Sequence, residues 1–402
     1  EDHEIDIGTH ITIRGGSYNA VFHALTTLLH LLGRTADGKL KLPHVKIKDK
    51  PYAPYRGLMI DLARKKHKIK TLKKLITLCS WYKLSYFHIH LSDNQSFTFP
   101  TAKYPKVPTK KRAFSRTELM SLDSFAAERG IIIIPEIDLP GHSRALVNAR
   151  PDIFALNGVE NNDKVINIGD EKVYQFIDDI VGELVSVFKH TPYIHIGADE
   201  VNFKGIESDP KCKEYMKQHG IQNDEELYRH FIVRVNEIVK THGKILCIWE
   251  GFKPDGEIDI PRDIIVYEFE SYYNLPDNLV KTGYTLVNTS WLPLYVTSKH
   301  HWTEEEIYEW NMYQWRNRTK ISPATKHPIQ LEVGTPILGA QVCSWAQKDK
   351  KEVRTLRRRV PAMAERVWSV DDDIAAKSPS LDEINNFINR LNKLDSKLAI
   401  FF

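Results

Sequence analysis

From Tyr55 onward the chain alternates short apolar runs with longer segments whose apolar residues recur at the helical period. Strand-like runs fall at 57–62, 86–91, 131–137, 193–196, 245–249, 264–269, 284–288 and 337–342. Helical patterns fill most of the intervals, at 71–82, 115–129, 173–189, 224–242 and 304–310, and again at 352–367. Eight strands separated by helices predict a parallel α/β architecture closed as a (β/α)8 TIM barrel. An open doubly wound sheet is the runner-up, but no glycine-rich phosphate loop follows the first strand. A barrel also accommodates 402 residues with few separate cores.

The first fifty residues differ in pattern. They read as strand 10–14, helix 18–32 and strand 44–47, and the helix carries Val21, Ala24, Leu25, Leu28, Leu29 and Leu32 on one stripe. Lys50-Pro51-Tyr52-Ala53-Pro54 reads as a linker, because both prolines favour extended backbone before them. The expected organisation is therefore a small α+β unit over 1–50 and a barrel domain over 55–402, ending in a packed helix over 381–398.

Composition narrows the function classes. Apolar residues make up 42% and charged residues 27%, with a net charge of +4, which gives no general case for nucleic acid as a partner. No apolar run has the length of a membrane span; 20–32 is too short and holds His23 and His30. The opening Glu1-Asp2-His3-Glu4 carries the expectation of no signal peptide, so the compartment is not legible. Cys79, Cys212, Cys247 and Cys343 are widely spaced and suggest neither a zinc site nor a disulfide framework. No cofactor motif is present.

In a parallel barrel, reactive side chains belong at the carboxyl ends of the strands. Strand one begins at Arg56 and ends in Asp61, with Arg64 just beyond. Strand two ends in His90-Leu91-Ser92-Asp93, and strand three in Glu136-Ile137-Asp138, followed by His142. Strand four runs Tyr193-Ile194-His195-Ile196-Gly197-Ala198 into the adjacent acids Asp199 and Glu200. Strand five ends in Trp249-Glu250, strand six in Phe269, strand seven leads to Trp291 and Tyr295, and strand eight ends in Trp345-Ala346-Gln347. An isolated Asp-Glu pair is usually a solvated one, and Trp249 alone is more often core. His88 is expected to face away from His90, and Glu136 and Asp138 could be barrel salt links. Together, however, carboxylates, histidines and aromatic rings at one rim describe a sugar pocket: rings pack on pyranose C–H faces while carboxylates and arginine hold hydroxyls.

These residues carry a resemblance. Arg56-Gly57 with Asp61 and Arg64, His90 to Gln95, Pro135 to His142, and above all His195-Ile196-Gly197-Ala198-Asp199-Glu200 resemble glycoside hydrolase family 20, the β-N-acetylhexosaminidases and lacto-N-biosidases. The likeness continues through Ala364-Glu365-Arg366-Val367-Trp368, and 1–50 resembles the latter part of the small domain preceding the family's barrel. It implies substrate-assisted catalysis, an exception to the two-carboxylate scheme: the substrate's 2-acetamido oxygen attacks the anomeric carbon. Glu200 then matches the general acid/base, its pKa expected to be raised by burial and by Asp199. Asp199 matches the acceptor of the acetamido N–H, and Tyr295 the donor to its oxygen. Arg56 is matched to the arginine holding the 3- and 4-hydroxyls. Asp93, Asp138 and His142 match the group orienting the acids, and Trp249 and Trp345 the pocket walls. A secreted, periplasmic or lysosome-like setting is also what the family resemblance suggests.

Three positions depart from the family. Phe269 stands where a tryptophan is common, with Tyr272 or Trp291 available for that wall. Thr297 and Gln347 stand where acids ordinarily hold the 4- and 6-hydroxyls. An ionised carboxylate would repel a 6-O-sulfate, whereas Thr and Gln can donate hydrogen bonds to one. The expected substrate is thus a glycan ending in β-N-acetylglucosamine, with 6-sulfation (as on mucin or keratan-type chains) weighed equally against simple loss of hydroxyl binding. Two rival readings remain open: a metal-dependent barrel enzyme using His195, Asp199, Glu200, Glu136 and His142, and a silent sugar-binding protein.

Overall fold

A computed structural model describes residues 1–159, 162–368 and 377–399. Eight parallel strands close into a barrel: Tyr55–Asp61, Tyr86–His90, Ile132–Leu139, Tyr193–Gly197, Ile245–Trp249, Ile265–Glu268, Thr285–Asn288 and Ile337–Trp345. Each pairs in parallel with the next, and strand eight pairs back onto strand one from Gly339↔Tyr55 to Ser344↔Ile60. Strand eight runs three residues beyond the expected 337–342, to Trp345, and its polar Ser344 is buried there. A short strand, Tyr295–Thr297, adds onto its carboxyl half, with Thr297 opposite Trp345.

Helices pack outside. Arg116–Ala127 opens with a capping box, in which Ser115 and Glu118 each satisfy the other's backbone N–H. Glu171–Val187 and Asp224–Thr241 begin at capping residues Asp170 and Asn223. The segment expected as one helix over 352–367 is two, Asp349–Leu356 and Arg359–Trp368. Pro361 explains the break: it lacks an N–H and fits only a first turn. The last helix is Leu381–Leu398, over the expected residues.

The amino-terminal unit is a three-stranded antiparallel sheet in the order Ile11–Gly15, His3–Ile7, Val45–Asp49, covered by the helix Tyr18–Leu31. The central strand His3–Ile7 was not legible in the sequence, although Ile5 and Ile7 alternate inward onto Ala24. This unit is tied to the amino end of the barrel, where Trp368 donates to Asp49 (2.9 Å) and Glu1 pairs with Arg56 (2.9 Å).

Candidate active site

The carboxyl rim is built from strand ends whose backbone turns sharply. Among the described residues, His142, Ala198, Glu200, Ser271 and Ala346 adopt left-handed φ values between 46° and 74°. They follow strands three, four, six and eight. Such conformations are costly for residues with a Cβ and gather where a structure must aim side chains against local preference. After Gly197 (φ 73°), Ala198 and Glu200 turn the chain twice, so the two adjacent acids part company. The Asp199 side chain is 11% exposed, whereas the Glu200 side chain keeps 49%.

His142 stands between the two halves of the site. Its Nε2 lies 3.2 Å from Glu200 Oε2 and 3.8 Å from Asp199 Oδ2, and its Nδ1 3.6 Å from Asp93 Oδ1. Burial alone would lower the imidazole, but Asp138, Asp93, Glu200 and Asp199 push it up to about 12, so it remains a cation. Asp93, opposed by its own burial, is held well below the usual carboxylate range by His142, His90 and Arg64, the last at 2.6 Å. Asp138 is driven well above its ordinary value by burial and by the like charge of Asp199. Asp199 is pushed up to about 6 by burial, Glu200 and Glu136, against the pull of His142.

Glu200 departs from expectation. Its carboxyl is lowered, because the His142 hydrogen bond outweighs its partial burial. The turn at φ 49° directs it toward the imidazolium and leaves half of it in water, where Asp199 acts on it weakly.

Arg56 is corrected. It lies at the amino end of strand one, fully buried, donating to the Ala53 and Lys83 carbonyls (2.7 and 2.8 Å) and paired with Glu1. The arginine of the rim is Arg64. Asp61 accepts its N–H (2.8 Å), Asp93 its guanidinium, and the guanidinium lies 4.6 Å from the centre of the Trp345 ring. The Asp61-x-x-Arg64 spacing was visible in the sequence. Only the strand direction decides between the two arginines.

Trp249 is fully buried and forms a floor, donating to Glu136 (2.7 Å). Phe269 stacks on Tyr295 at 5.7 Å and 4°, Trp291 tilts against the same ring at 5.7 Å, and Trp345 approaches it at 5.8 Å. The Tyr295 ring is thus held by three aromatics, and its hydroxyl is raised by burial first and then by nearby charges that include Asp199 and Glu200. Trp345 Nε1, Gln347 Nε2, Asp138 Oδ1 and Asp199 Oδ1 are buried without a hydrogen-bond partner among the described residues. Thr297 Oγ1 accepts from the Lys299 and His300 amides, which leaves its own hydrogen to donate.

His88 is also corrected. Two residues apart on a strand, His88 and His90 share a face, and both contact Glu136 Oε2, at 2.9 and 2.8 Å. Glu270 was missed as a site residue. It lies just beyond strand six, 8% exposed, and is pushed up to about 7 by burial and by the charges of Glu200 and Asp199.

Among the described residues, three groups could share a cation by proximity: His88 with Glu136 and His195, His90 with Asp93 and Asp138, and Asp138 with His142 and Asp199. In the first two every member is buried and the carboxylates already face imidazoles. The third depends on His142, and a protonated imidazole has no free lone pair for a metal.

Residues 53–371 match the description "Glycosyl hydrolase family 20, catalytic domain". The chain belongs to that family. Among family 20 relatives, a β-hexosaminidase of Vibrio furnissii is 28% identical over 84% of this chain and 59% of its own length. A β-hexosaminidase subunit beta of Entamoeba histolytica is 28% identical over 87% of this chain and 65% of its own length. The crystal structure of a family 20 exo-β-N-acetylglucosaminidase from Vibrio harveyi, in complex with N-acetylglucosamine, has a TM-score of 0.81 at 25% identity. That match covers 99% of this chain and 66% of the other. The chain therefore spans less than two thirds of the length of these proteins.

Proposed function

We propose that this family 20 chain hydrolyses terminal β-linked N-acetylglucosamine from glycans, with retention, using the substrate's own acetamido group as nucleophile. The observation that carries the reading is the division of labour around His142: one acid half in water, the other buried beside the orphaned Asp138 Oδ1. The names of the Vibrio relatives support the same activity.

Glu200 in its acid form gives a proton to the glycosidic oxygen. The C1–O bond breaks as the acetamido oxygen bonds to C1, giving a cyclic oxazolinium ion. Asp199 as carboxylate accepts the acetamido N–H and balances the positive charge, while Tyr295 donates to the acetamido oxygen. Water then adds to C1, Glu200 takes its proton, and the acetamido group is released. A pyranose in the pocket strips water from the exposed half of Glu200, and that desolvation raises its pKa toward the acid role. Arg64 replaces Arg56 as the cation for ring hydroxyls. Fixing an internal nucleophile in this way supplies on the order of 7–11 kcal/mol.

The finer reading is acceptance of a 6-O-sulfate. Thr297 and Gln347 offer donors where acids would repel the ester, and Arg318, packed over Trp291 (5.3 Å) and against His300 (2.7 Å), adds positive charge beside Thr297. Nitrophenyl β-glycosides of N-acetylglucosamine, its 6-sulfate, N-acetylgalactosamine and lacto-N-biose form the test. Turnover of the first or second supports the activity, and faster turnover of the second at matched concentration supports the sulfate reading. Release of intact lacto-N-biose would transfer the assignment to a biosidase, and failure of all four would overturn it.

A further inference from the structure

We propose that a basic groove beside the catalytic pocket binds anionic groups, sulfate or carboxylate, carried elsewhere on the same glycan whose terminal sugar is hydrolysed. The groove, about 540 Å3, is formed by Lys65, Lys66 and Lys68 beyond strand one and by Lys348, Lys350 and Lys351 beyond strand eight. All six lysines are exposed, and among the described residues none is ion-paired with a carboxylate. Asp349, which also lines the groove, accepts the Lys68 amide (2.9 Å) and supplies one negative charge, and Glu352 is bound by His67 (2.8 Å) and Ser344. Six lysines against that one lining carboxylate leave the groove positive, and a net charge of only +4 over the chain shows that the excess is local.

Position ties the groove to the pocket. Arg64, which pairs with Asp93, immediately precedes Lys65, and buried Gln347 immediately precedes Lys348. Asp61 joins the two turns, accepting from the Arg64 amide with one oxygen and from the Ala346 amide (3.0 Å) with the other. The loops after strands seven, eight and one carry Lys299, His300 and Arg318 together with the six lysines. A neutral oligosaccharide gains nothing from such a field. A polyanionic one is steered to the mouth and held across it.

The proposal rests on the glycosidase reading, so the test separates them. The probes are nitrophenyl β-N-acetylglucosaminide, a keratan-type oligosaccharide sulfated only on its inner residues, and its desulfated counterpart. The variant is Lys65→Gln/Lys350→Gln/Lys351→Gln. The wild type is expected to favour the sulfated over the desulfated oligosaccharide about tenfold in kcat/KM at about 50 mM salt, and to lose that preference at about 300 mM. The triple variant is expected to abolish the preference and leave nitrophenyl glycoside turnover unchanged. An equal preference in variant and wild type, or none in either, overturns the groove. If the nitrophenyl glycoside is not turned over at all, the glycosidase reading fails. Calorimetric titration with the inner-sulfated oligosaccharide then decides the groove alone: binding weakened about tenfold in the variant upholds it, and unchanged binding overturns it. Equal affinity for a DNA duplex of the same charge would overturn the glycan assignment.

Discussion

At the residue scale, two adjacent carboxylates meet different surroundings because the backbone separates them. Asp199 is buried against the like charge of Asp138, and Glu200 is half exposed on a protonated His142. Glu200→Gln is expected to lower kcat on oligosaccharides by about 10²–10⁴, measured by product release, with ligand binding retained. Asp199→Asn is expected to lose about 10²–10³ in kcat. In the proposed mechanism Asp199 acts as an anion, and it sits at about 6, so wild-type kcat/KM is expected to fall as pH drops below about 6, a limb the asparagine variant lacks in its residual activity. The two arginines separate by activity. Arg64→Ala is expected to lower kcat/KM of the folded fraction about 10- to 100-fold, with a lower melting temperature because buried Asp93 loses its cation. Arg56→Ala strips the Glu1 carboxylate and two carbonyls of their donor and costs about 3 kcal/mol in denaturant titration, with kcat of the folded fraction unchanged.

At the element scale, the barrel strands and their order were legible, because parallel strands buried on both faces read as apolar runs between helical stripes. The turns closing them were not. Gly197 shows why: a Cβ there would lie 1.8 Å from Asp138 Oδ1, a contact between strands four and three that no local pattern encodes. Gly197→Ala is expected to displace Asp138 and cut kcat about a hundredfold or more while circular dichroism still reports the barrel. The missed strand His3–Ile7 has the same origin. Five residues with charges between the isoleucines carry a weak period, and only pairing on both edges makes them a central strand.

At the scale of the whole molecule, the rim collects more carboxylate than it can neutralise. Glu270 is pushed up to about 7 and Glu268 to about 8, both chiefly by burial. A carboxyl raised in the folded state binds its proton more tightly there than in the unfolded chain. Its stabilisation is complete below the unfolded value of 4.5 and is lost as pH rises through the folded one. Glu270→Gln is therefore expected to flatten the fall in melting temperature between about pH 5 and about pH 8, and an unchanged slope would count against it. By itself the sequence determined the strand–helix alternation, the rim positions of Asp199 and Glu200, and the family, because periodicity and motif order are local properties of a chain. The tertiary structure alone decided that Arg64 and not Arg56 faces the acids, and that His88 and His90 share Glu136. It also decided that Glu200 is lowered, and that Lys65, Lys66 and Lys68 line one groove with Lys348, Lys350 and Lys351. Strand direction, charge and burial arise only when distant segments are brought into one dielectric, and no residue's neighbours in sequence carry that information.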